Sequence, residues 1–355
     1  MNKQELQDIV GKLKERDFKI YYLLPDFDRP SGGMMFSYQH VKALIDGGYN
    51  ATVLHTKDGF TLPWIGKYGE GVPIEYAGGG KDDQINFTST LQDFIVLPEG
   101  YAEWFRAFAQ TPSKKIINCQ NWYYVLNGMQ PGETFMHHGI KDVLSLSQPQ
   151  TDYLKLIMKG LNIKYAVGYI DQEVFKEPSH WTEKEPRVMF VNNRDQNKTM
   201  NIIKTFYAIH PYFRWIRFDT PQGESFDKYV EMMQKCAFYL HADDVSSLGT
   251  APLEAYLCGT LVAGWDGGHG GYDYMKPENT FLAPNGDIVS LAMVLGQVIT
   301  RWLDCNISDE MYADMKKCGQ KFSKEHTHTV VNKAFDELVV ERIQELENII
   351  ARMPE

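Results

Sequence analysis

Between residues 247 and 264, the sequence SLGTAPLEAYLCGTLVAG places a glycine, a proline and a carboxylate at spacings that suit anion and sugar binding. Gly249 lets backbone N–H groups approach an anion, and a helix start presents further unpaired N–H groups with a partial positive charge. Pro252 fits the first turn of that helix, where its missing N–H costs nothing. Glu254 would lie close to that anion, and a carboxylate does not bind another anion. Its oxygens instead suit the hydroxyls of a ribose. The stretch therefore indicates a nucleotide site. The alternative is that Glu254 only favours the first helical turn.

Strands and helices alternate twice along the chain. Apolar runs at FKIYYLLP (18–25), NATVLHT (50–56) and FIVLPEG (94–100) predict buried parallel strands, and PRVMFVNN (186–193) opens a second series. This alternation predicts an α/β fold of two Rossmann-like, doubly wound parallel-sheet domains. Further strands are predicted at KIINCQN (115–121), DVLSLS (142–147), IKYAVGY (163–169), FRWIRFD (213–219) and AFYLHAD (237–243). The predicted boundaries are 1–168 for the first domain, 169–325 for the second, and 326–355 for a terminal helix that returns to the first.

LGTAPLEAYLCGTLVAG resembles the second half of E-x-F-G-x-x-x-x-E-A-x-x-x-G-x-P-V-V, a pattern of the retaining nucleotide-sugar glycosyltransferases of the GT-B fold, the large family-4-like group. Glu254 takes the position of the family's second glutamate, which binds the ribose hydroxyls. The first glutamate lies eight positions earlier, where this chain has Ser246, and Asp244 is the candidate substitute. The resemblance implies a GT-B architecture with a cleft between the two domains.

Four further segments extend the resemblance over most of the chain. FVNNRDQNKTMNIIKTF (190–206) resembles the element that grips the diphosphate, and SGG (31–33) resembles the glycine loop that closes on the donor. SLSQPQTDYLKLIMKGLNIKYAVGYIDQEVFKEP (145–178) resembles the pattern near the interdomain linker, and WDGGHGGYDYMKP (265–277) resembles the sugar loop. The implied roles are donor nucleotide and phosphate binding by Gly32, Gly33, Arg194, Lys198, Leu248, Gly249, Thr250 and Glu254, donor sugar binding by Gly270, Gly271, Asp273 and Asp244, and catalysis by Arg194, Lys198 and His138.

The family often has a histidine near the sugar, after the strand that KIINCQN resembles. This chain has Gln120 or Asn121 at that position, which leaves His137 and His138 as the candidates; packing or capping is their alternative role.

The resemblance implies transfer of a sugar from a nucleoside-diphosphate sugar, with a UDP-sugar favoured, to an acceptor hydroxyl. It also implies retention of configuration and a site without metal, in which Arg194, Lys198 and backbone N–H groups stabilise the leaving phosphate. The acceptor stays open between a glycan or surface polysaccharide and a hydroxymethylated DNA base. A non-catalytic sugar-nucleotide-binding protein is the second hypothesis, because Ser246 replaces the first glutamate. An epimerase or phosphorylase of the same architecture is the third.

Composition restricts the other classes of function. With 36 basic and 46 acidic residues, the formal charge of −10 disfavours nucleic acid or an anionic membrane as a general partner, although a local basic patch is compatible with it. The N-terminal stretch mixes charges with apolar residues unlike a signal peptide, and no apolar run reaches membrane-span length. The five scattered cysteines lack CxxC spacing and predict reduced thiols in a cytoplasmic protein.

No metal site and no cofactor are expected. EHTHT (325–329) lacks a third ligand, and DFD (26–28) follows the first strand, where a turn is favoured over a metal-binding D-x-D motif. GGGKDD (78–83) lacks the spacing of a phosphate-binding P-loop.

Overall fold

A computed structural model describes residues 1–78, 87–178, 184–191, 195–268 and 272–354 of the protein. The chain forms two compact units. The N-terminal unit comprises Met1–Leu146, Thr151–Tyr169 and Glu325–Glu355, and the C-terminal unit comprises Ser147–Gln150 and Ile170–Lys324.

Helices and strands alternate through most of the described residues. The helices are α1 (Lys3–Lys14), α2 (Gly32–Asp46), α3 (Ala102–Ala107), α4 (Gln148–Ile157), α5 (Gln196–Ile209), α6 (Phe226–Lys235), α7 (Thr250–Leu257), α8 (Ile288–Leu303), α9 (Asp309–Gln320) and α10 (Lys324–Arg352). The strands are β1 (Lys19–Leu23), β2 (Asn50–His55), β3 (Ile74–Tyr76), β4 (Phe94–Pro98), β5 (Lys114–Cys119), β6 (Asp142–Ser145), β7 (Asn162–Tyr165), β8 (Glu185–Phe190), β9 (Arg217–Asp219), β10 (Cys236–His241), β11 (Leu261–Gly264) and β12 (Phe281–Leu282).

The N-terminal unit is built on a seven-stranded sheet of order β3-β2-β1-β4-β5-β6-β7, in which all neighbours are parallel. Ile20 of β1 lies opposite Ala51 of β2 and Phe94 of β4. The strand order reverses between β1 and β4, and in open α/β sheets the ligand crevice forms outside the carboxyl ends of the strands at such a point. Gly32 and Gly33 begin the helix that follows β1, so they lie at this edge.

Both faces of this sheet are covered. Alternate side chains of β1 point to opposite sides of the sheet, and the side chains on each side are buried in an apolar cluster. Ile20 and Tyr22 belong to one buried apolar cluster, and Tyr21 and Leu23 belong to another. The first cluster also contains Phe335 of α10, so the C-terminal helix is part of the core of the N-terminal unit.

The C-terminal unit has a five-stranded parallel sheet of order β12-β11-β10-β8-β9. Its strand order reverses between β8 and β10, since β9 lies on one side of this pair and β11 on the other. Two helical layers flank the sheet: α5 packs against α8, and α7 packs against α9. The carboxyl ends of β8 and β10 therefore lie side by side at one edge of the sheet.

The two all-parallel sheets agree with the fold predicted from the sequence, with two differences in detail. The strand predicted at 163–169 ends at Tyr165, because β6 ends at Ser145 and offers no partner beyond that pair. The strand predicted at 213–219 is confined to Arg217–Asp219. The preceding residues form turns that bury Phe213 and Ile216 at a spacing of three, which a strand of period two cannot do.

Two further predictions concern the chain as a whole. All five cysteines are free thiols, as expected from their scattered positions. Within the described ranges, no helix has both the length and the apolar character needed to cross a bilayer.

Candidate functional site

The carboxyl ends of two adjacent parallel strands, β8 and β10, lie where the strand order of the C-terminal unit reverses. Helix α5 follows β8 along the chain, and helix α7 follows β10. The N-terminus of a helix presents unpaired N–H groups and a dipole that favour an anion. The fold therefore brings the segments of Lys198 and Glu254 to one edge, although 56 positions separate them in the sequence.

Gly249 forms the N-cap of α7 with φ 67° and ψ 90°, a conformation that side chains rarely adopt. A Cβ atom at Gly249 would lie 2.6 Å from the ring of Tyr272, so the aromatic ring occupies the space that a side chain would need. The hydroxyl of Tyr274 donates a hydrogen bond to the Gly249 carbonyl oxygen at 2.6 Å. The two tyrosines thus fix the backbone at the start of α7 from one side.

Glu254 lies in the second turn of α7 rather than in its first, and it is only 5% exposed. The Tyr229 hydroxyl of α6 donates to Glu254 Oε2, and the Thr250 side chain also forms a hydrogen bond with the carboxyl group. Burial raises the pKa of Glu254 to about 7, although both hydrogen bonds act to lower it. A buried carboxyl group with hydroxyl donors around it is chemically suited to receive the hydroxyls of a ribose.

Lys198 lies in the first turn of α5, whose N-cap is Asp195. Its Nζ is 2.7 Å from Asp244 Oδ2, on the loop that follows β10, and 4.0 Å from Asp195 Oδ2. It also lies 5.9 Å from the ring centroid of Trp265, directly after β11. Among the residues that the structure describes, the buried indole Nε1 of Trp265 has no hydrogen-bond partner. An ammonium group and an unsatisfied N–H donor thus lie close to one another at the carboxyl edge.

Other predicted donor residues are placed as follows. Leu248 is buried in the loop before α7, and Thr250 is the first residue of that helix. Asp273 is exposed between the buried residues Tyr272 and Tyr274. Burial raises the pKa of the Cys318 thiol to about 11, and the Asp273 carboxylate adds to this effect. Arg194, Gly270 and Gly271 lie outside the described residues, as does nearly all of GGGKDD (78–83).

In the N-terminal unit, Gly33 lies against the side chain of Gln120, which follows β5. A Cβ at Gly33 would be 3.5 Å from Gln120 Cβ and Cγ. Within the described ranges, the buried Gln120 Nε2 atom has no hydrogen-bond partner, and the Ser31 side chain does not cap the start of α2. Helix N–H groups and an amide donor thus lie together at the carboxyl edge of this sheet.

His138 lies away from that edge. It precedes β6, and the first residue of β6, Asp142, pairs with Ile116 near the start of β5, so His138 comes just before the amino end of the sheet. Its Nε2 is 2.9 Å from Glu133 Oε1, and its ring packs against Phe105. His137 caps the same short turn through Thr134. These contacts correspond to the packing and capping alternative for both histidines, and the catalytic assignment of His138 lacks support from its position.

The motifs resembling metal sites have structural partners. Asp26 of DFD (26–28) lies 3.0 Å from His55 Nδ1 and accepts a hydrogen bond from Thr56. EHTHT (325–329) lies within the first turns of α10. In the part of the chain that the structure describes, no group of three or more His, Cys, Asp or Glu side chains is arranged to hold a metal ion.

Sequence reasoning missed several side chains of the site. His241, the last residue of β10, lies with its Nε2 2.9 Å from the Tyr272 hydroxyl, so the aromatic cluster extends to the end of the strand. The alternation in Tyr272-Asp273-Tyr274 was the available signal, because it matches the burial of the two tyrosines and the exposure of the aspartate between them. Tyr229 gave no signal, since its position in α6 is typical of an ordinary amphipathic helix.

The comparisons with known proteins concern the fold. No protein-family model and no curated protein sequence matches the chain. In structure the chain is similar to sucrose-phosphate synthase from Thermosynechococcus elongatus, with 12% identity and a TM-score of 0.67 over 91% of this chain and 99% of that one. It is similar to Anabaena HepE in complex with UDP-glucose, with 14% identity and a TM-score of 0.66 over 90% and 99% of the two chains. It is also similar to the pneumococcal O-GlcNAc transferase GtfA in complex with UDP and GlcNAc, with 10% identity and a TM-score of 0.65 over 92% and 99%.

These likenesses confirm the GT-B fold that the sequence predicted. They place the chain among structures of glycosyltransferase architecture, while its own chemistry has to be argued from its residues.

Proposed function

We propose that the protein is a glycosyltransferase whose nucleoside-diphosphate-sugar donor binds at the carboxyl edge of the C-terminal sheet. The observation that carries this proposal is that a buried carboxyl group, Glu254 of α7, and a lysine, Lys198 of α5, lie on the two helices that follow the strands at the reversal of strand order. A lysine and two helix N-termini suit a diphosphate, and a buried carboxylate suits ribose hydroxyls.

Each residue then has a specific task. Lys198 and the N–H groups of Thr250 and Ala251 hold the diphosphate, with Arg194 assigned to the same group. Glu254 accepts hydrogen bonds from the ribose. Leu248 and Gly249 shape the loop around the phosphates. Asp244, with Gly270, Gly271 and Asp273, is assigned to the donor sugar, and the uncapped start of α2 at Gly32 and Gly33 is assigned to the phosphates from the N-terminal unit.

A UDP-sugar is the proposed donor, and the support comes from the structural neighbours. HepE is recorded with UDP-glucose and GtfA with UDP and GlcNAc. For the present chain, the choice among nucleotides is a proposal that direct binding can test.

The proposed chemistry is transfer with retention and without a metal ion. Departure of the nucleoside diphosphate develops negative charge on the phosphate, and preorganised N–H donors and cations stabilise that charge. Lys198 already faces the carboxylate of Asp244, so the diphosphate would join an existing polar cluster in which the helix termini are fixed in advance. The acceptor is proposed to be a glycan or surface polysaccharide, with a hydroxymethylated DNA base as the alternative.

A second candidate function is a non-catalytic protein that binds sugar nucleotides. It is favoured by Ser246 at the position of the family's first glutamate, and by the engagement of Asp244 with Lys198. In this case the donor would bind at the same site without reacting.

Hydrolysis of the donor separates the two functions. We expect the protein to release UDP slowly from UDP-glucose or UDP-GlcNAc in the absence of acceptor, with EDTA having no effect and NMR showing an α-sugar as the first product. Lys198→Ala should lower this rate about 100- to 1000-fold, the usual effect of removing one preorganised donor. Lys317→Ala, an exposed lysine of α9, should leave it unchanged. Binding without hydrolysis would favour the non-catalytic function, and the absence of both would contradict the proposed site.

A further inference from the structure

Two segments of the N-terminal unit pack together at the carboxyl edge of its sheet. Strands β4 and β5 are adjacent and parallel, so their carboxyl ends lie side by side. The chain that leaves β4 contacts the chain that leaves β5. A Cβ at Gly100 would lie 3.0 Å from the Tyr124 carbonyl oxygen, and a Cβ at Gly128 would lie 3.3 Å from Ala102 Cβ. The two segments therefore form one surface.

The segment after β5 carries a row of aromatic rings in contact with one another. Trp122 packs edge-on against Tyr123, with ring centroids 5.9 Å apart, and against Tyr153 of α4, with centroids 5.2 Å apart. Tyr123 packs edge-on against Tyr124 at 5.6 Å. Four rings thus follow one another without a gap.

The segment after β4 adds two rings to this row. Tyr101 stacks on Trp104, with ring centroids 4.6 Å apart and an angle of 20° between the ring planes. Burial raises the pKa of Tyr101, and the nearby carboxylates of Glu99 and Glu103 raise it further. Tyr124 contributes to the same effect, so it lies close to Tyr101 and joins the two groups of rings.

We call these six residues the aromatic array: Tyr101, Trp104, Trp122, Tyr123, Tyr124 and Tyr153. None of the six is fully buried. Tyr123 is 53% exposed, and the other five are half-buried. Contiguous apolar surface that stays open to solvent is typical of a binding site. The rings also have few rotatable bonds, so a ligand loses little affinity to ordering them.

The chemistry of the array favours an uncharged glycan. The C–H face of a sugar ring packs on an aromatic ring, and the hydroxyl groups around it donate hydrogen bonds to carboxylates. Glu103 is exposed beside Trp104 on α3, and Glu99 directly follows β4. The same two carboxylates repel phosphates and uronic acids. A nucleic acid would stack on the rings as well, but its phosphates require cations, whereas both charged groups that act on Tyr101 are anions.

The array also continues from the candidate site at this edge of the sheet. Trp122 lies two residues beyond Gln120 in the sequence, and the Gln120 side chain lies against Gly33 at the start of α2. That helix start is the part of the N-terminal unit to which the donor phosphates are assigned. A glycan bound along the array therefore lies at the edge of the sheet where the proposed transfer takes place.

We propose that the aromatic array binds an uncharged oligosaccharide, which serves as the acceptor. Binding of the glycan is a property of the N-terminal unit alone, whereas its role as acceptor rests on the proposed glycosyltransferase function. The proposal selects a glycan over a hydroxymethylated DNA base.

Isothermal titration of the full-length protein tests this proposal. The uncharged probes are maltohexaose, cellohexaose and N-acetylchitohexaose, and the charged probes are hexagalacturonate and a single-stranded DNA hexamer. We expect at least one uncharged probe to bind and neither charged probe to bind. Tyr123→Ala should weaken the binding of the uncharged probe about ten-fold, within the range measured for removal of one ring stacked on a nucleobase. Tyr123→Trp keeps a ring and should bind like the wild type.

Tyr212→Ala is the matched control, because it removes a tyrosine that is 63% exposed on the C-terminal unit. It should bind the uncharged probe like the wild type. All three variants should keep the wild-type melting temperature and the wild-type affinity for UDP-glucose.

The proposal is overturned if no uncharged probe binds, or if Tyr123→Ala and Tyr212→Ala weaken binding equally. It is also overturned if the DNA hexamer binds and Tyr123→Ala weakens that binding. A dimer that Tyr123→Ala converts to monomer in sedimentation velocity would overturn it too, since a second copy of the chain would then cover the array. Glycan binding by a protein that does not bind UDP-glucose would support the array as a glycan site and contradict the proposed function instead.

Discussion

Replacing Glu254 by glutamine should weaken the binding of UDP-glucose about 10- to 100-fold at pH 8, because a hydrogen bond to a charged group contributes about 1.5–3 kcal/mol. Only the ionised carboxylate can accept from both ribose hydroxyls, and the pKa of Glu254 is raised to about 7 by burial. Lowering the pH from 8 to 6 should therefore weaken wild-type binding about ten-fold, while Glu254→Gln should show no such dependence. Isothermal titration at several pH values measures both effects, and UDP-glucose avoids the terminal phosphate of UDP, which titrates near pH 6.

Although Glu254→Gln should weaken ligand binding, it should increase the free energy of unfolding at pH 8. A carboxyl group with a folded-state pKa of about 7 against 4.5 unfolded binds more protons when folded, so the wild type loses stability as the pH rises from 4.5 to 7. Above pH 7 the full penalty is present, about 3 kcal/mol at 1.36 kcal/mol per pKa unit. Glu254→Gln lacks this penalty and should be the more stable protein at pH 8, with the difference shrinking towards pH 5.

Glu224→Gln is the control, since it removes one carboxylate from an exposed position of the same unit. It should alter neither the binding of UDP-glucose nor its pH dependence. If Glu254→Gln bound UDP-glucose as tightly as the wild type at pH 8, the ribose assignment of this residue would be wrong.

Gly249→Ala should destabilise the protein by about 2–5 kcal/mol and abolish measurable nucleotide binding. A positive φ costs a side chain about 1–2 kcal/mol, and forcing an extra carbon into packed surroundings costs about 1–3 kcal/mol more. At Gly249 both costs apply, because φ is 67° and the new Cβ would lie 2.6 Å from the Tyr272 ring. Urea denaturation gives the stability change, and titration with UDP gives the loss of affinity.

Gly223→Ala separates the two costs. Gly223 has φ 86°, yet no described residue other than its chain neighbours has an atom within 4 Å of an added Cβ, so only the backbone cost of about 1–2 kcal/mol should appear. A double-mutant cycle of Gly249→Ala with Tyr272→Ala should recover part of the loss, because removing the ring removes the clash. Equal destabilisation by Gly249→Ala and Gly223→Ala would show that Tyr272 does not restrain the start of α7.

The sequence allowed most of the fold to be predicted, because alternating apolar runs and polar turns reflect local requirements of parallel sheets. The glycine at 249 and the carboxylate at 254 could be proposed as site residues for the same reason, because a tight turn and a helix start are visible within a few positions of the sequence. The strand at 213–219 was predicted too long, since Phe213 and Ile216 are apolar in either a turn or a strand and only their spacing in the fold distinguishes the two.

The contacts that determine the burial and the pKa of Glu254 could not be predicted from short stretches of sequence. Tyr229 lies 25 positions before Glu254, and nothing in the pattern of α6 indicates that its hydroxyl meets a buried carboxyl group. The raised pKa of Glu254 arises from burial beneath elements that are distant in sequence, so residue spacing carried no information about it. His138 illustrates the converse. In a parallel sheet the chain has to return to the amino edge before the next strand begins. A histidine just before β6 therefore lies at the edge opposite to the residues that follow β5, although it is near the expected position in sequence.

Thermal unfolding of the wild type with UDP, GDP, ADP and dTDP, each with and without EDTA, tests the central claim most directly. A ligand at about 100 times its dissociation constant adds about 2.7 kcal/mol of stability, which is readily measured. We predict that UDP stabilises the protein, that EDTA makes no difference, and that Lys198→Ala removes most of the stabilisation. If no nucleotide stabilises the wild type, or if Lys198→Ala responds like the wild type, the assignment of a nucleotide-sugar site to the carboxyl edge of the C-terminal sheet is contradicted.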